Sequence, residues 1–353
     1  MIVNFNHRLR GFHRLRNPLD RVEVELRRLF KICVNPCNPW FNFTLRPQII
    51  PILLLAAVPS CEKSRALGPP KAVPVSADGR MELKLMTFNV RYENGEDLAS
   101  RSWAKRVVGA VRMIREEAPD VFGVQEALHG QAADLWASLP DYEFFGIGRD
   151  DGKREGEYSG IFYRRDRFEA DFSDGGTFWL SDTPEKPGSR TWGNTIPRIA
   201  AWIKLTDRST GRGFYIFNTH WDHRDQPSRE KAALLIARRI DARKSPELPV
   251  MLLGDFNAVE SNPGVSYLTG KPATLAGQPA AWKNGLLDTF QALHPGAPAR
   301  TTLHFWSADK SGIRKIDHIL VTQGAEVLQA AIRNSDDPVV SDHFPVTAKV
   351  AFR

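Results

Sequence analysis

The chain has 353 residues, of which 42% are hydrophobic, 25% charged and 10% aromatic, a globular composition that excludes wholesale disorder, a collagen-like repeat and a coiled-coil rod. Its formal charge of +7 is uneven: residues 1–80 hold 13 Lys and Arg against 5 Asp and Glu, which leaves 35 against 36 in residues 81–353. Bulk charge therefore does not mark the larger part as a protein that coats nucleic acid.

Residues 1–45 match no domain pattern and stand as an unassigned extension. Residues 46–61 read as a signal-like segment: Arg46, an apolar run from Ile49 to Val58, then Pro59-Ser60-Cys61. A basic flank, about ten apolar residues and a small residue before a break are the plan of a secretory signal. The run is shorter than the roughly 20 residues that a spanning helix needs. Val58-Pro59-Ser60-Cys61 is similar to a bacterial lipoprotein cleavage box, from which Pro59 departs, and in such a box Cys61 would carry lipid. The expectation is export to the periplasm or membrane attachment through Cys61; without a working signal the chain stays cytoplasmic. Residues 62–80, with Pro69, Pro70 and Pro74, read as a linker. The three cysteines, Cys33, Cys37 and Cys61, all precede residue 81, so the main domain (81–353) has no disulfide, zinc-thiolate site or cysteine nucleophile.

From Met81 the pattern becomes regular. An apolar strand at 83–90 is followed by a helix over 101–117 with Trp103, Val107, Val111 and Ile114 on one face, and Pro119 lies beyond its end. Strands are predicted at 121–124, 157–163, 198–205, 213–219, 249–254, 314–321 and 344–352, and a helix over 228–242 just after Pro227. Strands that alternate with helices, yet often follow one another directly, predict an α/β sandwich with mixed sheets. The proline- and glycine-rich stretch 181–198 is a long loop and a candidate site wall.

Several of these apolar strands stop in polar residues. The first ends in Asn89 and the second in Gln125-Glu126; Phe214–Phe217 runs into Asn218-Thr219-His220-Trp221-Asp222-His223, and Leu252-Leu253 into Gly254-Asp255-Phe256-Asn257. Asp317-His318 and Ser341-Asp342-His343 flank the last strands. Taken singly, each has a structural reading, an Asp as a cap or a His as a satisfied core residue. As a set they are carboxylates, carboxamides and histidines at the ends of separate strands, where α/β proteins build their sites. Hard oxygen ligands without thiolates suit Mg²⁺ or Mn²⁺, and the remaining acid and base groups suit metal-assisted phosphoester hydrolysis.

Thr87-Phe88-Asn89-Val90, Gln125-Glu126, Tyr158-Ser159-Gly160, Asn218-Thr219-His220, Gly254-Asp255-Phe256-Asn257, Ile316-Asp317-His318 and Ser341-Asp342-His343 occur in the order of the endonuclease/exonuclease/phosphatase superfamily, which the chain resembles over about 83–352. The resemblance implies a four-layer α/β sandwich of two packed mixed β-sheets, the DNase I-like fold. It implies metal binding by Asn89 and Glu126, with Asp342 completing the set. Asp255 would orient or deprotonate the attacking water, Asn257 would hold a phosphate oxygen, and His343 paired with Asp317 would serve as acid/base or as a clamp on the phosphate. His220 would contact the phosphate from the other side and Tyr158 would donate a hydrogen bond to it. Arg198 is an added candidate for a substrate phosphate contact, or else half of a surface ion pair. Trp192 in the long loop is a stacking platform or, as we favour, loop packing.

Within the superfamily, the string from Asn218 to His223 is similar to the deadenylase and nocturnin branch, and the main domain also resembles exported bacterial members. The function expected is Mg²⁺- or Mn²⁺-dependent hydrolysis of a phosphoester substrate, nucleic acid among the candidates, by a phosphodiesterase with nuclease-like chemistry. The alternative is a phosphomonoesterase or phospholipase acting on a small or lipid phosphate, which the neutral main domain favours because a nuclease keeps a basic track for the backbone. A non-catalytic binding module with the same fold ranks behind both.

Overall fold

A computed structural model describes residues 79–353 apart from 96, 297–300, 308–313 and 335–339. The expected extension, the signal-like segment and all but the last two residues of the linker lie outside the described residues. In chain order the first half forms β1 (Met81–Asn89), α1 (Trp103–Glu117), β2 (Val121–Ala127), α2 (His129–Ser138), β3 (Tyr142–Phe145), β4 (Tyr158–Arg164) and β5 (Phe168–Trp179). Next come β6 (Ile199–Asp207), β7 (Gly213–His220), α3 (Gln226–Asp241), β8 (Val250–Asp255), α4 (Pro263–Leu268), β9 (Ala273–Leu275) and β10 (Gln278–Ala280). The chain finishes with β11 (Leu286–Asp288), α5 (Thr289–Leu293), β12 (Asp317–Thr322), β13 (Glu326–Ile332) and β14 (Val346–Phe352).

Two six-stranded sheets result, with strand orders β13-β14-β1-β2-β4-β3 and β11-β12-β8-β7-β6-β5. Each is antiparallel except for one parallel pair, β1 with β2 and β7 with β8, so both are mixed. The two-residue period of the strands sorts their side chains into layers. Leu83 and Leu85 of β1, Phe214 and Ile216 of β7, Met251 and Leu253 of β8, and Ile319 and Val321 of β12 share the core between the sheets. Their alternates face the helices: Met86 and Phe88 pack with α1 and α2, while Tyr215, Phe217 and Leu252 pack with α3 and α4. The result is the expected four-layer sandwich.

The helices follow from local signals. α1 buries Trp103, Arg106, Ala110, Met113 and Ile114 along one face, and stops where Ala118 turns left-handed (φ 43°) just before Pro119. α3 begins at Asp225, whose carboxylate accepts from Ser228 N at 2.6 Å, with Pro227 in the first turn and Arg238 and Arg239 in the last. Both match the predicted helices to within two residues at each end.

Candidate active site

The sheets deliver their polar ends to one edge. β8 lies between β7 and β12, and the register sets Asp255 opposite His220 on one side and Asp317 on the other. This close pairing requires Gly254, since a Cβ there would come within 2.3 Å of the Thr219 carbonyl oxygen. Period two then decides which neighbours join the site. Asp255 and Asp317 continue the inter-sheet rows of Leu253 and Ile319, whereas His318 alternates outward and is wholly buried. There its Nε2 donates to the Ala258 carbonyl at 2.8 Å and Lys315 Nζ lies 3.0 Å from its Nδ1. Thr219 likewise turns outward, its hydroxyl donating to the Ile199 carbonyl at 3.0 Å.

The facing sheet contributes Asn89 at the end of β1 and Glu126 from β2. Glu126 sits in a β-bulge where the β2–β4 register slips between Val124 and Ala127, and it adopts φ 63°. A bulge re-aims a side chain that plain alternation would send elsewhere. Glu126 Oε1 accepts from Asn89 Nδ2 at 3.0 Å and its Oε2 from Tyr92 N at 3.1 Å. The same Asn89 amide donates to Asp255 Oδ2 at 2.9 Å and so ties the two sheets together at the site. Gln125, the preceding residue, does structural work: it donates to Thr87 and to Asn218 Oδ1, while Asn218 Nδ2 donates to the carbonyls of Val124 and Gly160.

Asp255 is the centre. Its Oδ2 lies 3.6 Å from His220 Nε2 and 3.8 Å from His343 Nε2. Each histidine has a carboxylate behind it, Asp317 at 2.9 Å from His343 Nδ1 and Glu157 at 3.7 Å from His220 Nδ1. Glu157 is in turn forked by Arg149 at 2.6 and 2.7 Å. Burial, and then the Asp317 charge, push the pKa of Asp255 up to about 7, although His343 and Asn89 pull the other way. The His343 pKa also rises, but for a different cause: burial resists its charge, yet Asp317, with Asp255 and Asp342 beyond, raises its pKa to about 10. His220, buried and close to Arg198 and Arg149, is held well below the ordinary histidine range. The site therefore has one cationic and one neutral histidine on opposite sides of a carboxylate poised to take a proton.

The other expected site residues lie as follows. Asp342 is buried, 4.0 Å from Arg91 Nε, and burial together with the Glu126 charge raises its pKa while His343 and Arg91 oppose that rise. Asn257, with φ 47°, donates its backbone N–H to Asp255 Oδ1 at 2.8 Å and one amide N–H to the Trp221 carbonyl at 3.0 Å; its second amide N–H remains for a phosphate oxygen. The Tyr158 hydroxyl donates to the Lys153 carbonyl at 3.0 Å and lies 3.1 Å from His129 Nδ1, partners it would have to leave to reach a substrate. Arg198 is 4% exposed and bonds His223 Nδ1 at 2.9 Å, so the surface ion pair is excluded by its burial. Trp192 is packing: its ring joins the outer core of α3 and its N–H donates to Asp182 at 2.7 Å. Sequence reasoning overlooked Glu157, Arg149 and Arg91. Glu157 immediately precedes the Tyr158-Ser159-Gly160 string, and a carboxylate entering an apolar strand was the available signal.

The residues fit a hard divalent cation. Ligand atoms of Glu126, His220 and Asp255 all lie within 4.8 Å of one another, as do those of Asp255, Asp317 and His343. Asp342 adds a second buried carboxylate within electrostatic reach of Glu126. Gathered acidic oxygens raise one another's pKa unless a cation shares the space.

The model of the Endonuclease/Exonuclease/phosphatase family matches residues 86–343. The endonuclease/exonuclease/phosphatase from Bacteroides vulgatus is similar in structure at a TM-score of 0.69, with 33% identity over 77% of this chain and 100% of that one. A mannosyl-6-phosphatase from Bacteroides thetaiotaomicron VPI-5482 is similar at 0.64, with 31% identity over 76% of this chain and 100% of that one. The human nocturnin catalytic domain shares the fold at 0.59 with 16% identity, over 78% of this chain and 98% of that one. An uncharacterized protein of Acanthamoeba polyphaga mimivirus is 37% identical over 82 residues, which are 22% of this chain and 30% of that protein. With that match across 86–343, two packed mixed sheets, and an acidic and histidine cluster at their shared edge, the chain belongs to the endonuclease/exonuclease/phosphatase family of phosphoesterases.

Proposed function

We propose that the protein is a Mg²⁺- or Mn²⁺-dependent phosphomonoesterase acting on a small phosphorylated substrate of the sugar phosphate type. The observation that carries the hydrolytic reading is Asp255 between His220 at 3.6 Å and His343 at 3.8 Å. Glu126, Asn89 and Asp342 would hold the cation. Once bound, it would withdraw charge from the phosphate and help acidify water. Asp255, raised to about 7, accepts the proton of the attacking water as the bond from phosphorus to the ester oxygen breaks, and the departing alkoxide takes a proton from solvent. The His343 cation, fixed by Asp317 at 2.9 Å, faces the phosphate as negative charge builds, and the free Asn257 N–H donates to a non-bridging oxygen. Neutral His220 donates without adding charge.

The small-substrate reading draws support from the near-zero charge of residues 81–353 and from the 31% identical mannosyl-6-phosphatase, all of which this chain matches. The second reading, a phosphodiesterase with nuclease-like chemistry, is favoured by the string from Asn218 to His223. Purified protein with Mg²⁺ or Mn²⁺, assayed on hexose 6-phosphates, a bis-aryl phosphodiester and single-stranded RNA, separates them. Phosphate release from a hexose phosphate with negligible diester cleavage is expected. Cleavage of RNA or the diester at far higher kcat/KM would replace this reading with the second.

A further inference from the structure

The strand-terminal string Asn218-Thr219-His220-Trp221-Asp222-His223 ends in a residue that the mechanism above leaves unused. His223 is exposed where β7 leaves the sheet, three residues beyond His220. It is near enough to His220 and to Glu126 for their charges to act on one another. Behind it lies Arg198, 4% exposed, whose Nη2 is 2.9 Å from His223 Nδ1.

We propose that His223 is a phosphate-binding residue, and that Arg198 is its positioning residue, buried at the back of the ring so that the guanidinium acts on the substrate through the imidazole. A guanidinium only donates. The Nδ1 that faces it must therefore be the bare acceptor nitrogen, which fixes the proton of the neutral ring on Nε2. Burial and the Arg198 charge both hold the His223 pKa below the ordinary histidine range, so the ring stays neutral and the tautomer stays locked. A cation bonded to one nitrogen of an imidazole polarises the ring and strengthens the N–H on the other side. An Nε2–H of that kind matches an anionic acceptor better than a hydroxyl.

The guanidinium lines a small pocket with Glu157, Tyr158 and His220 and makes few other bonds. Its Nε and Nη1 have no hydrogen-bond partner, and its nearest carboxylate, Asp222 Oδ2, is 3.8 Å away. Asp222 is itself committed to its own turn, its Oδ1 accepting from Arg224 N at 2.9 Å and Asp225 N at 2.8 Å. Burying an arginine with so few bonds is costly unless its charge is used. Arg198 is buried, whereas His223, bonded to it, is exposed.

The inference rests on the phosphoesterase reading, but not on the identity of the alcohol that leaves. It is tested with the full chain in Mg²⁺ by calorimetric titration of inorganic phosphate, alongside kcat/KM for p-nitrophenyl phosphate and for a hexose 6-phosphate. His223→Leu is expected to weaken phosphate binding about tenfold, the worth of one charge-assisted hydrogen bond, and to lower kcat/KM by a similar factor on both esters. His223→Gln, which can accept from Arg198 through Oε1 and donate outward through Nε2, is expected to recover most of that loss. Nitrogen-15 NMR of the wild-type protein is expected to show His223 as the single Nε2–H tautomer, with a mixture in Arg198→Met. Unchanged phosphate binding in His223→Leu would overturn the proposal, as would a loss confined to the hexose ester, which would make His223 a reader of the leaving group. If Arg198→Met does not fold, the wild-type tautomer alone decides, and an Nδ1–H ring overturns the relay. A wild-type protein that ignores hexose phosphates yet binds phosphate through His223 would sink the substrate reading and leave this one standing.

Discussion

Asp255 and His343 both titrate above their ordinary ranges, and each yields a prediction with a definite sign. The pKa of Asp255 is raised to about 7 in the folded protein. The folded state thus holds that proton more tightly than the unfolded chain, and stability is lost as pH rises from the ordinary carboxylate range through about 7. Asp255→Asn removes a buried charge and should melt higher than wild type at pH 8 in EDTA, by about 1 kcal/mol or a few degrees, while turnover disappears. A lower melting point in calorimetry would contradict the electrostatic account of the centre. His343 is raised to about 10 by Asp317, so its contribution is complete below the ordinary histidine range and lost as pH rises through about 10. Asp317→Asn should therefore bring the alkaline limb of kcat/KM down toward neutrality by roughly two pH units or more. An unmoved limb would remove His343 from the charged role. At this scale the sequence was informative because strand alternation is strict: Asp317 and His318 are neighbours, yet only the first shares a face with Ile319 and Val321. Glu157 and Arg198 were harder to place. Their importance comes from partners far along the chain, His220 for one and His223 for the other, and no local pattern encodes such meetings.

Among the elements, those that carry the site were legible and the edges were not. The apolar runs at β1, β2, β4, β6, β7, β8, β12 and β14 are interior strands of the two sheets, with most of their side chains buried. β3, β5, β11 and β13, the four edge strands, escaped prediction. β5 breaks its alternation at a bulge between Asp171 and Gly175, and β13 shifts register between Val327 and Gln329, so neither shows a clean period. The Glu126 bulge was equally silent, since nothing in Val124-Gln125-Glu126-Ala127 demands φ 63°. What holds β2 against β7 at that point is Asn218. Asn218→Ala would strip the carbonyls of Val124 and Gly160 and the Gln125 amide of a buried partner. A loss of about 2–4 kcal/mol is expected, read as a lower urea midpoint with an unchanged slope. A shift under about 0.5 kcal/mol would mean that the clamp is idle. The tight fit around it agrees, since a Cβ on Gly123 would sit 2.5 Å from Asn218 Oδ1.

For the whole molecule, two sheets back to back gather residues from Asn89 to His343 at one edge, and this convergence explains why seven weak strings in order identify what none does alone. Charge divides the chain, with the basic surplus confined to residues 1–80. We propose export for this protein, with Cys61 as its lipid attachment point. Metabolic labelling with a fatty acid should mark the wild-type protein and not Cys61→Ser, and two unlabelled proteins would refute the anchor. The central claim, that Glu126 holds a divalent cation on which phosphoester hydrolysis depends, is tested most directly by comparing wild type with Glu126→Gln. Both would be titrated with Mn²⁺ by calorimetry and assayed for phosphate release from p-nitrophenyl phosphate with and without EDTA. The account predicts EDTA-sensitive turnover in wild type, with metal binding weakened at least tenfold and turnover nearly lost in a folded Glu126→Gln. Full, metal-dependent turnover in that variant would contradict it.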